Sequence, residues 1–443
     1  MLLAGRTPAP GGTGARRDGI VVCAVRERGR RGKERRMEQR SDTPPVADAD
    51  VMAGFPVSRE RRVTPETIYR APYTRWFMQH VREVQRSAAV GCRGDEIAVL
   101  PREPRDLDGL CVPAAGGASV GELLAATHTD AFAVVHRGAV VHEEYFHGMS
   151  AETPHMWQSV SKSLMACVAG NLVARGVIDP AAAIVDYVPE LAGSAYGDAL
   201  VRHLLDMQVG IEYSEDYEDP DSEVNTLDRL YGVRPPLTPD QPGSTYDFAT
   251  GARKRGEHGR DFKYVSLNVN VLGWVMERAT GTAVPELIRS EVWGKLGAEH
   301  EAYIGLDGAG SAQSEGGFCS SLRDLARFGQ ALCRSGAFNG RQVVPAAWVD
   351  EVLRGGDREA FARSPETGVL PQGSYRDCFW VAQAPGRTVF MGLGIYGQML
   401  FVSPADQVVV AKFSTQPAAD DPGCFRLEYA LCEALATLLG TGA

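Results

Sequence analysis

Trp157-Gln158-Ser159-Val160-Ser161-Lys162-Ser163 is the stretch on which the reading of this chain turns. From Ser159 to Gly176 the apolar residues Val160, Leu164, Cys167, Val168 and Leu172 recur at helical spacing, and Gly176 supplies a C-terminal stop. Residues three apart on a helix share a face, with Cβ atoms about 5–6 Å apart, so Lys162 stands beside Ser159. A serine hydroxyl is a weak nucleophile near neutral pH and needs a base at hand. A lysine serves if desolvation or a neighbouring cation lowers its pKa. Ser159 also opens the helix, where unpaired backbone N–H groups favour developing negative charge. The same position suits a plain N-cap, so the tetrapeptide alone does not decide between the two roles. Ser161 and Ser163 do not stand three residues before a lysine.

Two further motifs lie downstream. Tyr264-Val265-Ser266 precedes Leu267-Asn268 and the apolar helix 269–277. A tyrosine there can relay a proton between a serine and a leaving group, or simply open a helix as a buried residue. Gly392-Leu393-Gly394-Ile395-Tyr396-Gly397 also matches the glycine pattern of a dinucleotide site, which requires a following helix and an acidic residue about twenty positions on. A strand follows instead, so a glycine-rich strand edge that lets backbone N–H groups approach an acyl carbonyl fits better. Gly117-Ala118-Ser119-Val120-Gly121 imitates a nucleophile elbow but lacks the buried strand before it. Glu122, three residues after Ser119, marks a capping box.

The bulk properties narrow the function. The chain has 443 residues and a formal net charge of -10, with 44% hydrophobic and 23% charged residues. An acidic body argues against nucleic acid as a partner. No apolar run reaches eighteen residues, so no membrane span is expected. The nine cysteines are scattered without a Cys-x-x-Cys pair, and the nine histidines include no His-Glu-x-x-His, so neither a metal nor another cofactor is expected. Free thiols and the lack of a secretory pattern point to a cytoplasmic protein.

Along the chain, residues 1–51 read as a disordered basic leader, rich in Gly, Pro and Arg, with Met37 or Met52 as alternative starts. A catalytic body over 52–443 follows. A helix is expected over Arg75–Gln85. Strands are expected over 131–136 and 139–146, turned by Arg137-Gly138. A helix-rich region runs to about Gly297, interrupted by a long acidic loop over 210–241. Ser321 starts another helix, with Asp324 placed for a capping box. Strands over 388–393, 398–402 and 407–413 and a helix over 425–439 complete the chain. Strands near both ends of the body imply an α+β fold. Its antiparallel sheet draws on regions of about 52–158 and 320–443, and helices flank it, with a mostly helical second region over about 159–319.

The order Ser-x-x-Lys, Tyr-x-Ser, glycine-rich strand resembles the serine β-lactamase and penicillin-binding-protein superfamily. Within its class C-related branch, the chain is most similar to the 6-aminohexanoate-dimer hydrolase and carboxylesterase-like group, over roughly residues 52–440. Supporting stretches include Leu204-Leu205-Asp206-Met207 through Tyr217, Asp324-Leu325-Ala326-Arg327-Phe328-Gly329 and Gly394-Ile395-Tyr396-Gly397-Gln398. The resemblance implies a β-lactamase/transpeptidase-like fold and a serine hydrolase. Ser159 would be the nucleophile and Lys162 and Tyr264 would share the acid–base work. The backbone N–H groups of Ser159 and Ile395 would form the oxyanion hole. It further implies substrate contacts from Tyr217 (with Tyr213 as second choice), from Asp228 toward a substrate amine, and from Glu315. Two departures matter: Ser266 stands where antibiotic-directed members carry asparagine, and Val389-Phe390-Met391 occupies roughly the place of their Lys-Thr-Gly triplet. A cation there would bind a substrate carboxylate, so its loss favours a small linear amide or ester over a β-lactam. The expected reaction is hydrolysis through an acyl-serine, with transfer of the acyl group to an amine or alcohol as the alternative.

Overall fold

The computed structural model describes residues 46–91, 97–107, 109–236 and 242–441. The expected leader lies, up to residue 45, outside the described residues. Residues 46–51, which the sequence reading also gave to the leader, belong to the compact body that opens at Val46. Asp48–Asp50 form a 3-10 turn, Asp48 pairs with Arg75, and Val51 is buried.

The elements that position the site are, in chain order, α1 (Val120–Ala126), β1 (Thr129–His136), β2 (Ala139–Tyr145), α2 (Val160–Ala174), α3 (Leu267–Thr280) and α4 (Leu322–Cys333). They are followed by β3 (Ser374–Arg376), β4 (Phe379–Ala384), β5 (Arg387–Gly394), β6 (Gln398–Ser403), β7 (Val408–Ser414) and α5 (Pro422–Gly440). Strands β1–β7 form one antiparallel sheet in the order β3-β4-β5-β6-β7-β1-β2. The two ends of the body are joined where β7 pairs with β1, Val408 opposite His136 and Phe413 opposite Ala131. All eight residues of β1 are buried, as expected for a strand covered on both faces.

Cross-strand partners share a face of a sheet, which fixes where the helices lie. Gly392, Leu400 and Ala411 are paired in register, and Val409 is paired with Val402. A Cβ on Gly392 would meet Val160 and Ser163 of α2, and one on Gly329 of α4 would meet Val409 and Leu400. Helices α2 and α4 therefore cover one face. Cys432 and Tyr429 of α5 contact Met399 and Phe401, which point the other way, so α5 covers the opposite face together with α1. A second, four-stranded sheet has the order Ser87–Ala89, Tyr303–Gly305, Phe318–Ser320, His155–Met156.

The hairpin β1–β2 turns at Arg137 (φ 52°) and Gly138 (φ 89°), the two left-handed residues expected there. Ser119 caps α1: its Oγ accepts from Glu122 N at 3.3 Å, and Ser119 N donates to Glu122 Oε2 at 2.8 Å, which removes it as a nucleophile elbow. Three elements differ from expectation. The helix read over Arg75–Gln85 is two pieces, Tyr73–Gln79 and Val81–Val84. His80 breaks it, with Nδ1 2.7 Å from the Trp76 carbonyl and its ring stacked on Trp76, a local bond that competes with the helical ladder. The loop over 210–241 contains a helix, Glu223–Leu230, whose cap Ser222 accepts from Asn225 N. Strands β3 and β4 carried no hairpin signal because their turn uses Asp377 (φ 49°) and Cys378 (φ 59°) instead of Asn or Gly.

Candidate active site

Ser159 sits at a strand-to-helix turn. His155 pairs with Ser320 and Met156 with Cys319, and Trp157 N donates to Phe318 O at 2.8 Å. The Trp157 ring is buried against Trp293, Phe318 and Phe328, and its Nε1 donates to Ser320 Oγ at 3.0 Å. Gln158 then takes a left-handed conformation (φ 48°), which a side-chain-bearing residue adopts only when its surroundings impose it. Ser159 follows as the first residue before α2, and its side chain makes no capping bond. The plain N-cap role is thereby excluded, and the hydroxyl faces Lys162 instead.

Lys162 is 1% exposed, and its Nζ lies 2.8 Å from Ser159 Oγ and 2.8 Å from the Glu315 carbonyl oxygen. Burial lowers its pKa, opposed by the carboxyl groups of Glu215 and Glu315. Tyr264 lines the same cavity as Ser159, and Lys162 Nζ lies 5.1 Å from the Tyr264 ring centroid. Burial drives the Tyr264 phenol well above its ordinary range, so it stays protonated. Its ring stacks on Trp380 and meets Tyr375 edge-on, which fixes the direction of the hydroxyl.

The third expected group comes from the end of β5. A Cβ on Gly394 would lie 2.7 Å from the Trp157 carbonyl oxygen, and one on Gly392 3.0 Å from Val160 Cγ1. The glycines are thus required for the close approach of β5 to the start of α2, which brings Ile395 beside Ser159. Among the described residues, neither the Ser159 nor the Ile395 N–H donates to a loop carbonyl or a side chain. Gln398 steadies the turn, donating from Nε2 to Ile395 O at 3.2 Å and to Ser414 O at 2.7 Å.

These groups open on a cavity of about 460 Å³ whose lining includes Ser159, Tyr217, Tyr264 and Ile395. Its apolar wall includes Phe262, Leu370, Trp380 and Phe425, and its charged lining comprises Glu215, Glu366, Asp420, Asp421, Glu428 and Lys263. Tyr217 is therefore at the cavity, whereas Tyr213 is buried with its hydroxyl unpaired. Asp228 and Glu315 do not line it. Both Asp228 oxygens are engaged, Oδ2 by Arg234 Nε at 2.9 Å and Oδ1 by the Tyr69 hydroxyl at 3.3 Å. The Glu315 side chain turns to the Tyr231 hydroxyl, 3.2 Å away, and burial raises its pKa to about 7. Val389-Phe390-Met391 is buried within the sheet, so Gly392-Leu393-Gly394 is the segment beside Ser159. Among the described residues, no cationic side chain lines the cavity beside this segment; Lys412, whose Nζ lies 3.5 Å from Gly397 O, is buried behind it and paired with Glu428. The lysine in the cavity wall is Lys263, whose Nζ donates to Ile211 O at 2.9 Å.

Sequence reasoning missed Glu215. Its Oε1 accepts from Ser266 N, and its Oε2 accepts from Ser266 Oγ at 3.3 Å and from the Tyr217 hydroxyl at 2.9 Å. Ser266, the departure noted in the middle motif, thus holds a carboxyl group close to Lys162. The available signal was Glu215 standing two residues before Tyr217.

The beta-lactamase family model matches residues 118–434, and the chain belongs to that family. It is 39% identical to the 6-aminohexanoate-dimer hydrolase of Paenarthrobacter ureafaciens over 368 residues, covering 83% of this chain and 92% of that protein. A solved structure from Bacillus anthracis, proposed to be a 6-aminohexanoate-dimer hydrolase, superposes with a TM-score of 0.78 at 28% identity, covering 86% of this chain and 97% of that one. EstCE1, a hydrolase with promiscuous acyltransferase activity, shares the fold at 15% identity and a TM-score of 0.54, covering 71% of this chain and 98% of EstCE1. The fold is β-lactamase/transpeptidase-like, and the chain is a hydrolase of the amidase and esterase type. Among the described residues, no helix is long and apolar enough to cross a membrane.

Proposed function

We propose that this enzyme hydrolyses a small linear amide or ester through an acyl-enzyme on Ser159. The observation that carries the reading is the buried Lys162 Nζ 2.8 Å from Ser159 Oγ and 5.1 Å from the Tyr264 ring, with Ser159 and Tyr264 in the wall of one cavity. A neutral lysine amine has one lone pair and two N–H donors. With one N–H given to the Glu315 carbonyl, the lone pair is free to accept the Ser159 proton. Ser159 Oγ then attacks the carbonyl carbon, and the oxyanion draws on the Ser159 and Ile395 N–H groups, each worth about 3 kcal/mol in such sites. Tyr264, kept protonated, donates its proton to the leaving nitrogen or oxygen and recovers one from Lys162. Water, deprotonated through the same pair, releases the acid and restores Ser159.

The charged lining supports a substrate that carries an amine. The lining holds five carboxyl residues and one lysine, Lys263; Lys412 behind the lining pairs with Glu428, which leaves four carboxyl groups against one lysine, and the relative's name specifies a dimer of 6-aminohexanoate, an amino-bearing acid. The test has two arms. A fluorophosphonate should label Ser159, mapped by mass spectrometry; labelling elsewhere, or none on folded protein, would refute the nucleophile. A linear ω-amino amide should be cleaved faster than its N-acetylated form, and the reverse order would refute the amine preference. Product analysis with an added amine separates the alternative, since dominant amide formation would make the enzyme a transacylase.

The pH profile offers a second check. Only neutral Lys162 accepts the serine proton, so kcat/KM rises with pH through the lysine pKa. Burial lowers that pKa, and ionised Glu215 and Glu315 raise it. Glu315→Gln removes one of the raising charges without altering the cavity wall. The acid limb of kcat/KM is expected to move to lower pH, most clearly near neutrality, where Glu315 ionises. A limb that stays in place or moves upward would contradict this assignment.

A further inference from the structure

Tyr69, in the segment before the family-matched region, contacts residues next to the site. It is half-buried, lies outside residues 118–434, and contacts both Tyr396 and Asp228. Its ring stacks on Tyr396 with centroids 5.8 Å apart and planes 3° from parallel. Its hydroxyl donates to Asp228 Oδ1 at 3.3 Å, and the Arg234 guanidinium, already on Asp228 Oδ2, lies 4.8 Å from the same ring. Phe77 meets it edge-on at 6.1 Å.

Two of these contacts, Tyr396 and Asp228, lead to residues that line the cavity, Ile395 and Tyr217. Tyr396 follows Ile395 directly and is left-handed (φ 62°), held by its N–H to Ala419 O at 2.8 Å and its carbonyl to Gln416 N at 3.1 Å. Rotation of Tyr396 would therefore swing the Ile395 N–H. Asp228 lies on the helix Glu223–Leu230, and Asn225 of that helix donates from Nδ2 to the carbonyls of Tyr217 at 3.1 Å and Asp219 at 2.7 Å. These bonds tie the helix to the Tyr217 loop.

We propose that Tyr69 is a positioning residue that couples the Tyr217 loop to the Ile395 turn, with Asp228 and Arg234 as its bracket on the loop side. This rests on the acyl-serine reading above. It gives Asp228 a part in holding the loop in place of contact with a substrate amine. Substrate that draws the loop onto the cavity presses Asp228, and through Tyr69 the oxyanion turn, into the same arrangement, so binding and carbonyl polarisation are linked.

The test uses the full chain and a p-nitrophenyl ester, with active sites counted by fluorophosphonate titration. Tyr69→Phe keeps the stack and loses the hydroxyl, so KM should rise about five-fold, as for loss of one ordinary hydrogen bond, with kcat per titrated site within about two-fold. Asp228→Asn should behave alike, and the double variant should be no worse than either single one. Tyr69→Leu removes the stack as well. Its kcat per titrated site should fall about 10- to 100-fold, a part of the loss caused by removing an oxyanion donor outright. A merely structural role would lower the number of titratable sites and leave kcat per site and KM unchanged, and that result would overturn the proposal. So would an unchanged KM in Tyr69→Phe. If wild-type protein takes no label at Ser159, the catalytic reading fails first and the coupling falls with it; normal labelling with an inert Tyr69 defeats the coupling alone.

Discussion

Ser159→Ala is expected to reduce kcat by roughly 10⁵- to 10⁶-fold, because removing the nucleophile of such a set costs about as much as removing the whole set. The residue left behind cannot form an acyl-enzyme, so only the oxyanion donors and substrate binding continue to act, and these alone give about 10³- to 10⁴-fold over water in such sites. The fold should survive. The Ser159 side chain caps nothing, and the helix behind it is anchored by Trp157, Val160 and Leu164 in the core. Turnover measured beside a thermal melt separates the two effects. A variant that retains more than a few per cent of wild-type kcat would remove Ser159 from the mechanism.

Lys162→Met is expected to lower kcat by about 10³-fold, within the range for loss of a positioned general base. The thioether fills much of the same volume and has no proton to accept or give. The stability change should have the opposite sense. Lys162 is buried, and an amine in that position carries a desolvation cost that methionine does not. The melting temperature should therefore stay level or rise while activity collapses. That pairing distinguishes loss of chemistry from loss of structure. A lysine that served only packing or charge balance would give near-normal kcat in Lys162→Met, and this result would sink the base assignment.

Much of this site could be read from sequence because its parts obey local geometry. Ser159 and Lys162 are three apart on a helix, and the spacing alone sets their distance. Strands β5, β6 and β7 announce themselves by apolar runs, and Arg137-Gly138 by its turn chemistry. Other parts depend on contacts between distant segments and leave no local mark. Glu215 matters through Ser266, on another element. In sequence the glycines of β5 suggest room for an acyl carbonyl, but their nearest neighbours are Trp157 and Val160, so they make room for the start of α2. Asp228 looks free in the sequence, and Arg234 and Tyr69 occupy it in the fold. The β3–β4 turn was invisible because Asp377 and Cys378 carry no signal for left-handed backbone. Asp377 is held there by Arg202 Nη1 at 2.6 Å, a tertiary contact that propensity does not encode.

The pairing of β1 with β7 also shapes how the protein comes into being. β1 is complete at His136, and the strand that covers its edge begins only at Val408. On a ribosome adding about 5–20 residues per second, β1 waits for tens of seconds with eight core residues and one unpaired edge. Closing so long an excursion carries a large entropic barrier, so the sheet is expected to form slowly and late. During that interval the nascent chain presents an aggregation-prone edge. A chain released before β7 would lack the strand that closes the sheet, so premature termination near the C-terminus should yield insoluble protein instead of a weakly active enzyme.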